Sequence, residues 1–222
     1  MARVLALAAA LAAIAVGAFV LAGRQGPLPS DALIGAANAQ DAAEVDTSSV
    51  TEMTLGDENA PVTMIEYTSF TCPHCATYHN TTFKQIKESY IDTGKVHYIL
   101  REVYFDRYGL WASMIARCAG PERFYGIIDL IYEKQEEWSR AGGPNEIVAE
   151  LRKIGRLAGL EAEQIEACLQ DGEKAQTLVA WYQQNAEEHE ITSTPSFIID
   201  GEKVSNQSYA EFKELLDAKL DQ

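Results

Sequence analysis

The amino-acid sequence predicts an α/β protein in which a block of helices interrupts a sheet-forming chain. Strand-like runs rich in β-branched and aromatic residues stand on both sides of a long segment whose apolar residues recur with helical spacing. The predicted order of elements is β-α-β, then the helical block, then β-β-α. A chain of 222 residues, 47% of them hydrophobic, is long enough to bury a core of ordinary size.

The first sheet-forming part contains two predicted strands and a helix between them. Residues 62–67 are apolar and β-branched after a turn-forming stretch, and residues 96–104 have a similar composition. Between them, Cys72-Pro73 precedes apolar residues with helical spacing. Since proline favours the first turn of a helix, we expect a helix whose N-terminus is at Cys72 and which ends at residues 92–94.

The remaining elements follow from the same patterns. Apolar stripes predict helices throughout residues 107–188, one of them over residues 124–138. Residues 196–199 form a short apolar strand, and Asp200-Gly201 predicts a hairpin turn into a return strand and a closing amphipathic helix. The predicted division of the chain is 1–39 for an export segment, 49–106 for the first sheet-forming part, 107–188 for the inserted helical domain and 189–222 for the second sheet-forming part.

The first residues have the pattern of an export signal. Arg3 precedes an apolar run over residues 4–22, in the order of a positive n-region and a hydrophobic h-region. Cleavage after Ala22 or after Ala39 fits the pattern, and the run is also long enough for a retained membrane anchor. Residues 1–39 are therefore predicted to be a signal peptide or an N-terminal anchor with a linker.

The charge balance argues against a nucleic-acid partner. The formal net charge is −15 at pH 7, whereas binding to phosphates needs clustered Lys and Arg side chains. We interpret the acidic groups of the predicted helices as solvated faces that favour solubility.

The four cysteines suggest disulfides, because an exported protein enters an oxidising compartment. Cys72 and Cys75 are so close in sequence that they pair most simply with each other, which leaves Cys118 with Cys168. The alternative for the second pair is two buried core thiols, because each lies on an apolar helical stripe.

The Cys72-Pro73-His74-Cys75 motif predicts thiol–disulfide chemistry. Unpaired N–H groups and the helix dipole stabilise a thiolate at a helix N-terminus, and His74 can add a hydrogen bond or a positive charge. We therefore interpret Cys72 as the attacked sulfur and Cys75 as the resolving thiol. Zinc binding is the alternative, but it usually needs a second pair of ligands. We expect no metal and no cofactor.

Two segments resemble motifs of the DsbA family of bacterial periplasmic oxidases. Residues 66–75 (EYTSFTCPHC) resemble its active-site segment, and residues 194–201 (TPSFIIDG) resemble its second motif, where a cis-proline faces the disulfide. The helical block resembles the family's inserted domain. The resemblance covers about residues 53–220 and implies a thioredoxin-like fold with an inserted α-helical domain, located in the periplasm.

The resemblance also implies roles for individual residues. Pro195 would be the cis-proline, and the backbone before it, at Thr194, would pair with extended substrate. Glu66 would be a buried acid that transfers a proton to or from Cys75; the alternative is an outward-facing strand residue. Some relatives have a structural disulfide in the inserted domain, as Cys118 and Cys168 would form.

The sequence thus predicts an enzyme that introduces disulfide bonds into exported proteins. Its expected partners are unfolded exported proteins with free cysteines and, by resemblance, a quinone-linked membrane protein of the DsbB type that reoxidises it; we expect a monomer. Thr194 favours a second hypothesis, a reductase or isomerase, because Thr at this place is common among isomerases. The third hypothesis is a metal-binding or chaperone protein without catalytic activity.

Overall fold

The computed structural model describes residues 45–222, and the α/β fold agrees with the prediction. Five strands form one mixed sheet in the order β1-β3-β2-β4-β5. Central β2 runs parallel to β3 and antiparallel to β4, while β1 and β5 pair antiparallel at the two edges. The strands are β1 (Met53–Leu55), β2 (Val62–Thr68), β3 (Val96–Glu102), β4 (Ser196–Ile199) and β5 (Glu202–Ser205).

The predicted export segment, residues 1–39, lies outside the described residues. Within residues 45–222, no helix combines the length and the apolarity that crossing a membrane would need.

The helix after β2 begins where the sequence predicts, with Cys72 as its N-cap residue and Pro73 at its first position. It ends before Gly94, whose φ of 72° is typical of a residue beyond a helix C-terminus. Two π-helical turns widen it. Its parts are α1 (Pro73–Tyr78), a π turn (His79–Phe83), α2 (Lys84–Ile86) and a second π turn (Lys87–Ile91).

Between β3 and β4 the chain is helical, as predicted. The single helix predicted over residues 124–138 is two helices, because Lys134 leaves the helical conformation (φ −100°, ψ 14°) and starts a new turn. These helices are α3 (Arg107–Arg117), α4 (Pro121–Glu133), α5 (Gln135–Ser139), α6 (Pro144–Leu157), α7 (Ala162–Gln170) and α8 (Gly172–Glu188); α9 (Tyr209–Leu220) follows β5.

The hairpin between β4 and β5 sets the position of the second motif. Asp200 and Gly201 both have positive φ, 48° and 82°, as a two-residue turn of type I′ requires. The Asp200 carboxylate accepts a hydrogen bond from the Thr63 amide at 2.9 Å, which ties the hairpin to β2. In the resulting register Tyr67 faces Ser196, so the residues just before β4 lie beside the end of β2.

One apolar core joins the sheet to the helical block. Met64 of β2, Ile86 of α2 and Phe124 of α4 are fully buried in the same cluster, together with Phe212 of α9. Most of the helical block therefore packs on the same core as the sheet, while a smaller cluster of Leu110, Met114 and Leu178 joins α3 to α8.

A buried ion pair also connects the helical block to the sheet. Arg117 of α3 donates two hydrogen bonds of 2.6 Å to the Glu102 carboxylate at the end of β3. Both side chains are almost fully buried, at 3% and 1% exposure. The Ser113 hydroxyl donates to Glu102 at 2.9 Å, and Arg117 donates to the Thr51 carbonyl at 2.9 Å. The remaining polar atoms of the pair thus have partners.

Replacing one partner of this ion pair should destabilise the fold strongly. We expect Arg117→Met to lower the free energy of unfolding by about 3–5 kcal/mol, because Glu102 is left buried without its counter-charge. The double variant Glu102→Gln/Arg117→Met should recover most of the loss. Urea unfolding of the three proteins measures this, and a double variant no more stable than Arg117→Met would contradict the account.

Candidate active site

The turn between β2 and α1 holds Cys72 at the helix N-terminus. The Cys72 amide donates to the Ser69 carbonyl at 3.1 Å, and the Cys72 carbonyl accepts from the Ala76 amide at 3.2 Å. The buried Gln135 side chain of α5 donates to the Phe70 carbonyl at 2.8 Å and to the Cys72 carbonyl at 2.9 Å. The helical block therefore fixes the backbone on both sides of this turn.

Cys72 and Cys75 are free thiols in different surroundings. Cys72 is half-buried and Cys75 is buried. Cys72 Sγ lies 3.5 Å from the Thr194 carbonyl oxygen, and the Ser69 amide donates to Cys75 Sγ at 3.5 Å. The Thr194–Pro195 peptide bond is cis. The two sequence motifs thus meet at Cys72.

The pKa values of the two thiols are driven apart. The pKa of Cys72 is lowered to about 5, chiefly by a hydrogen bond from the Cys75 thiol, against the effect of partial burial; Thr194 and the Cys75 and His74 amides lower it further. Burial raises the pKa of Cys75, and the hydrogen bond to Cys72 and the charge of Glu66 add to this. At neutral pH the stable state is therefore a Cys72 thiolate beside a Cys75 thiol.

His74 contributes differently from the expectation. Its imidazole is exposed, and the contribution to the Cys72 pKa comes from its backbone amide. A backbone N–H at the first turn of a helix supplies this effect whatever the side chain, because such amides have no partner within the helix.

Glu66 is fully buried in β2. Its Oε2 accepts a hydrogen bond from the Tyr98 hydroxyl of β3, while Oε1 has no partner among residues 45–222. Burial raises the pKa of Glu66, and the Tyr98 hydrogen bond and the charge of His79 partly oppose this. The Thr68 hydroxyl, which forms a hydrogen bond of 2.6 Å with the Tyr132 hydroxyl, lies near both Glu66 and Cys75. A carboxyl group with a raised pKa thus lies next to the buried thiol.

The structure brings together all the residues that the two motifs supplied and separates the other cysteines from them. Cys118 and Cys168 form a disulfide of 2.07 Å within the helical block, where they join the end of α3 to α7. Both are half-buried, so the alternative of two buried core thiols is wrong. Among the described residues, no three or more His, Cys, Asp or Glu side chains form a group that could hold a metal ion.

Two residues of the site were not identified from the sequence. Tyr98 lies on the buried face of β3, which the alternation of apolar residues indicates, but nothing in the sequence shows that its hydroxyl meets Glu66. Gln135 begins a short helix in the helical block, far from both motifs in sequence, and only the fold brings it to the active-site turn.

Comparison with known proteins finds relatives in sequence. A family model described as thioredoxin matches residues 48–218. A protein of Rickettsia bellii, named provisionally as a protein-disulfide oxidoreductase, is 33% identical over 172 residues, which are 77% of this chain and 65% of that protein. A similarly named protein of Rickettsia prowazekii is 34% identical over 171 residues, which are 77% of this chain and 62% of that protein. The chain thus spans less than two thirds of the length of these relatives.

Solved structures agree with these relatives. Alpha-DsbA1 of Wolbachia pipientis superposes with a TM-score of 0.71 at 28% identity, over 77% of this chain and 92% of that one. Oxidised BdbD from Bacillus subtilis shares the fold, with a TM-score of 0.66 at 22% identity over 77% and 94% of the two chains. The predicted resemblance to DsbA proteins and the predicted thioredoxin-like fold are confirmed.

The lowered pKa of Cys72 should make the stability of the reduced protein depend on pH. An unfolded thiol has a pKa of about 8.5, so the unfolded chain binds more protons than the folded one between pH 8.5 and about 5. The Cys72 thiolate therefore stabilises the reduced, folded protein fully above this pH range, and this stabilisation is lost as pH falls through about 5.

Urea unfolding of the reduced and the oxidised protein at several pH values measures this effect. Carboxylates affect the stability of both forms alike. The free energy of unfolding of the reduced protein minus that of the oxidised protein should therefore report the Cys72 thiol, and we expect this difference to increase from pH 5 to 8. A difference that is independent of pH would contradict the assigned pKa.

Proposed function

This chain belongs to the thioredoxin family, and on that premise we propose that it is a protein thiol:disulfide oxidoreductase that introduces disulfide bonds into exported proteins. The observation that carries the proposal is the inequality of the two thiols, with the pKa of Cys72 lowered to about 5 and that of Cys75 raised. A stable thiolate favours the reduced form of the pair, and the Cys72–Cys75 disulfide is therefore a strong oxidant.

In the proposed reaction, a substrate thiolate attacks Cys72 of the oxidised pair. The Cys72–Cys75 bond breaks, a mixed disulfide forms between substrate and Cys72, and Cys75 leaves as a thiolate that takes a proton from Glu66. A second substrate thiolate then attacks the substrate sulfur of the mixed disulfide. The substrate leaves with a disulfide, oxidised by two electrons, and the pair is left as a Cys72 thiolate and a Cys75 thiol.

The direction of attack is supported by exposure and geometry. Cys72 is half-buried and Cys75 is buried, so an incoming thiolate reaches Cys72. The Thr194 carbonyl lies 3.5 Å from Cys72 Sγ, which supports a role for Thr194 and Pro195 in pairing with the main chain of an extended substrate. A backbone carbonyl at this place can accept a hydrogen bond from a main-chain amide of the substrate, as in the pairing of two neighbouring strands of a sheet.

The proposed location and partners follow from the same chemistry. The export pattern of residues 1–39 supports a periplasmic location, and a disulfide between Cys118 and Cys168 suits an oxidising compartment. We propose unfolded exported proteins with free cysteines as substrates, a membrane reoxidant of the DsbB type and a monomeric enzyme.

Thr194 is the observation that favours a second candidate, a reductase or isomerase working from the dithiol form. The oxygen atom of its hydroxyl group is buried beside the two thiols. The low pKa of Cys72 argues against this candidate, because a reductase requires a less stable thiolate.

Substitution of each active-site cysteine should give a different result. With a reduced, unfolded secreted protein as substrate, the oxidised enzyme should form one substrate disulfide per enzyme molecule without added oxidant. Cys72→Ser should form no substrate disulfide above the uncatalysed rate, because the attacked sulfur is missing. Cys75→Ser, once its Cys72 is activated as a mixed disulfide, should stay bound to a substrate that has a single thiol, because neither Cys75 nor a second substrate thiol is there to break the bond.

Mass spectrometry after acid quenching measures the free substrate, the substrate disulfide and the mixed disulfide. The dithiol form of the wild-type enzyme is the control and should oxidise nothing. A wild-type enzyme that instead reduces substrate disulfides at a higher rate than it forms them would contradict the oxidase assignment.

A further inference from the structure

His79 is a fully buried histidine that the proposed reaction has not used. It follows Cys75 by one helical turn and opens the π-helical turn His79–Phe83. Its ring packs between Phe83 and Tyr132, with centroid distances of 4.6 Å to each. Isolated π turns widen a helix and are frequent at functional sites, which indicates that the buried imidazole has a functional role.

The two nitrogens of the imidazole have different surroundings. Nε2 lies 2.7 Å from Oδ1 of Asp129 on α4, and the Asp129 side chain is 57% exposed to solvent. Nδ1 is buried and has no hydrogen-bond partner among residues 45–222. His79 thus connects the protein interior with a carboxylate at the surface. Buried polar atoms of this kind are normally satisfied by a bound water.

Glu66 presents a matching unpartnered atom in the interior. Its Oε1 is buried without a partner, and so is the Tyr78 hydroxyl. The His79 ring stacks on Phe83, whose ring centroid lies 5.1 Å from that of Tyr98, the hydrogen-bond partner of Glu66. The Tyr78 ring packs on Phe197, the β4 residue that is paired with Glu66, with a centroid distance of 4.8 Å. Three such atoms in one region favour a bridge of one or more waters between Glu66 and His79.

We propose that His79 and Asp129 form the path by which the proton exchanged between Cys75 and Glu66 passes to and from solvent. The inference rests on the proposed function, because it takes the role of Glu66 as given. It assigns His79 as a relay residue, which acts through Glu66 and does not touch the reacting sulfur atoms.

The proton balance is simple in the direction of reoxidation. Glu66 first passes its proton through the bridging water to Nδ1 of His79. The Glu66 carboxylate then takes the proton of the Cys75 thiol, and the resulting thiolate attacks Cys72 in the mixed disulfide and releases the other sulfur as a thiolate. The imidazolium releases the proton on Nε2 to Asp129, whose exposed carboxyl group exchanges it with solvent. The reverse sequence resupplies Glu66 when the pair is reduced.

Titratable groups of four elements line this path. Tyr132 and Asp129 project from α4, Glu66 from β2 and Cys75 from α1. Tyr98 of β3 holds the other oxygen of Glu66. Burial raises the pKa of both tyrosines, so they stay protonated through the neutral range, and they can hold a water in place without exchanging charge.

The rate of the Cys75 step tests the relay. Reduced protein is mixed with excess oxidised glutathione in dilute buffer, and decay of the Cys72–glutathione disulfide is followed by acid quenching and mass spectrometry. We expect His79→Phe to slow this decay roughly tenfold, less than the factor of about 10² to 10⁴ typical of direct general acid or base groups. Asp129→Asn should slow it several-fold, because the amide accepts the hydrogen bond of His79 but not its proton.

Three further measurements separate a relay from a structural role. The reduction potential of the Cys72–Cys75 pair should stay unchanged in both variants, since a relay alters the rate and not the end states. The solvent deuterium isotope effect should increase. In His79→Ala, free imidazole should restore the rate. Asp129→Asn at the surface keeps the test informative if the buried substitutions impair folding, and His97→Phe is a matched histidine control outside the site.

The outcomes distinguish the inference from the function on which it rests. If Glu66→Gln slows the decay while His79→Phe and Asp129→Asn leave it unchanged, the relay is wrong and the role of Glu66 stands. If Glu66→Gln has no effect, the proposed role of Glu66 fails. A change of potential in His79→Phe without an isotope effect or imidazole rescue would assign His79 a structural role and overturn the inference.

Discussion

The hydrogen bond from the buried Cys75 thiol to the Cys72 sulfur is the interaction on which the rest of the site depends. It is the largest cause of the low pKa of Cys72, and it exists because Cys75 is held in the interior with its proton retained. One sulfur then bears a charge at the surface end of the helix while the other remains neutral beneath it. The difference in burial, more than any single neighbouring charge, gives the two identical side chains different chemistry.

That difference in burial requires support from the whole fold. The cis Thr194–Pro195 loop covers Cys72 from the β4 side, and Gln135 of the helical block holds the carbonyl of Cys72. The main core contains residues of both the sheet and the helical block, and through Gln135 the helical block also stabilises the backbone of the active-site turn. A substrate thiol approaching Cys72 therefore meets a backbone that is already fixed, which reduces the entropy lost on binding.

Local sequence patterns were sufficient for the elements and for the residues of the two motifs, because strands, caps and turns are determined by neighbours along the chain. They failed where distant residues meet. The three-residue strand β1 is too short to show alternation, and Lys134 divides a helix whose apolar stripe is continuous. Gln135 and Tyr98 act through partners that are distant in sequence. The Asp129 partner of His79 likewise becomes visible only once α4 has packed against the active-site helix.

The equilibrium reduction potential of the Cys72–Cys75 pair in glutathione buffers tests the central claim most directly, because it measures how strongly the fold stabilises the thiolate form. The scale is set by about −120 mV for DsbA and about −270 mV for thioredoxin. With a Cys72 pKa of about 5, the potential should lie closer to the DsbA value than to the thioredoxin value. A potential near the thioredoxin value would contradict the account and indicate a reductase or isomerase.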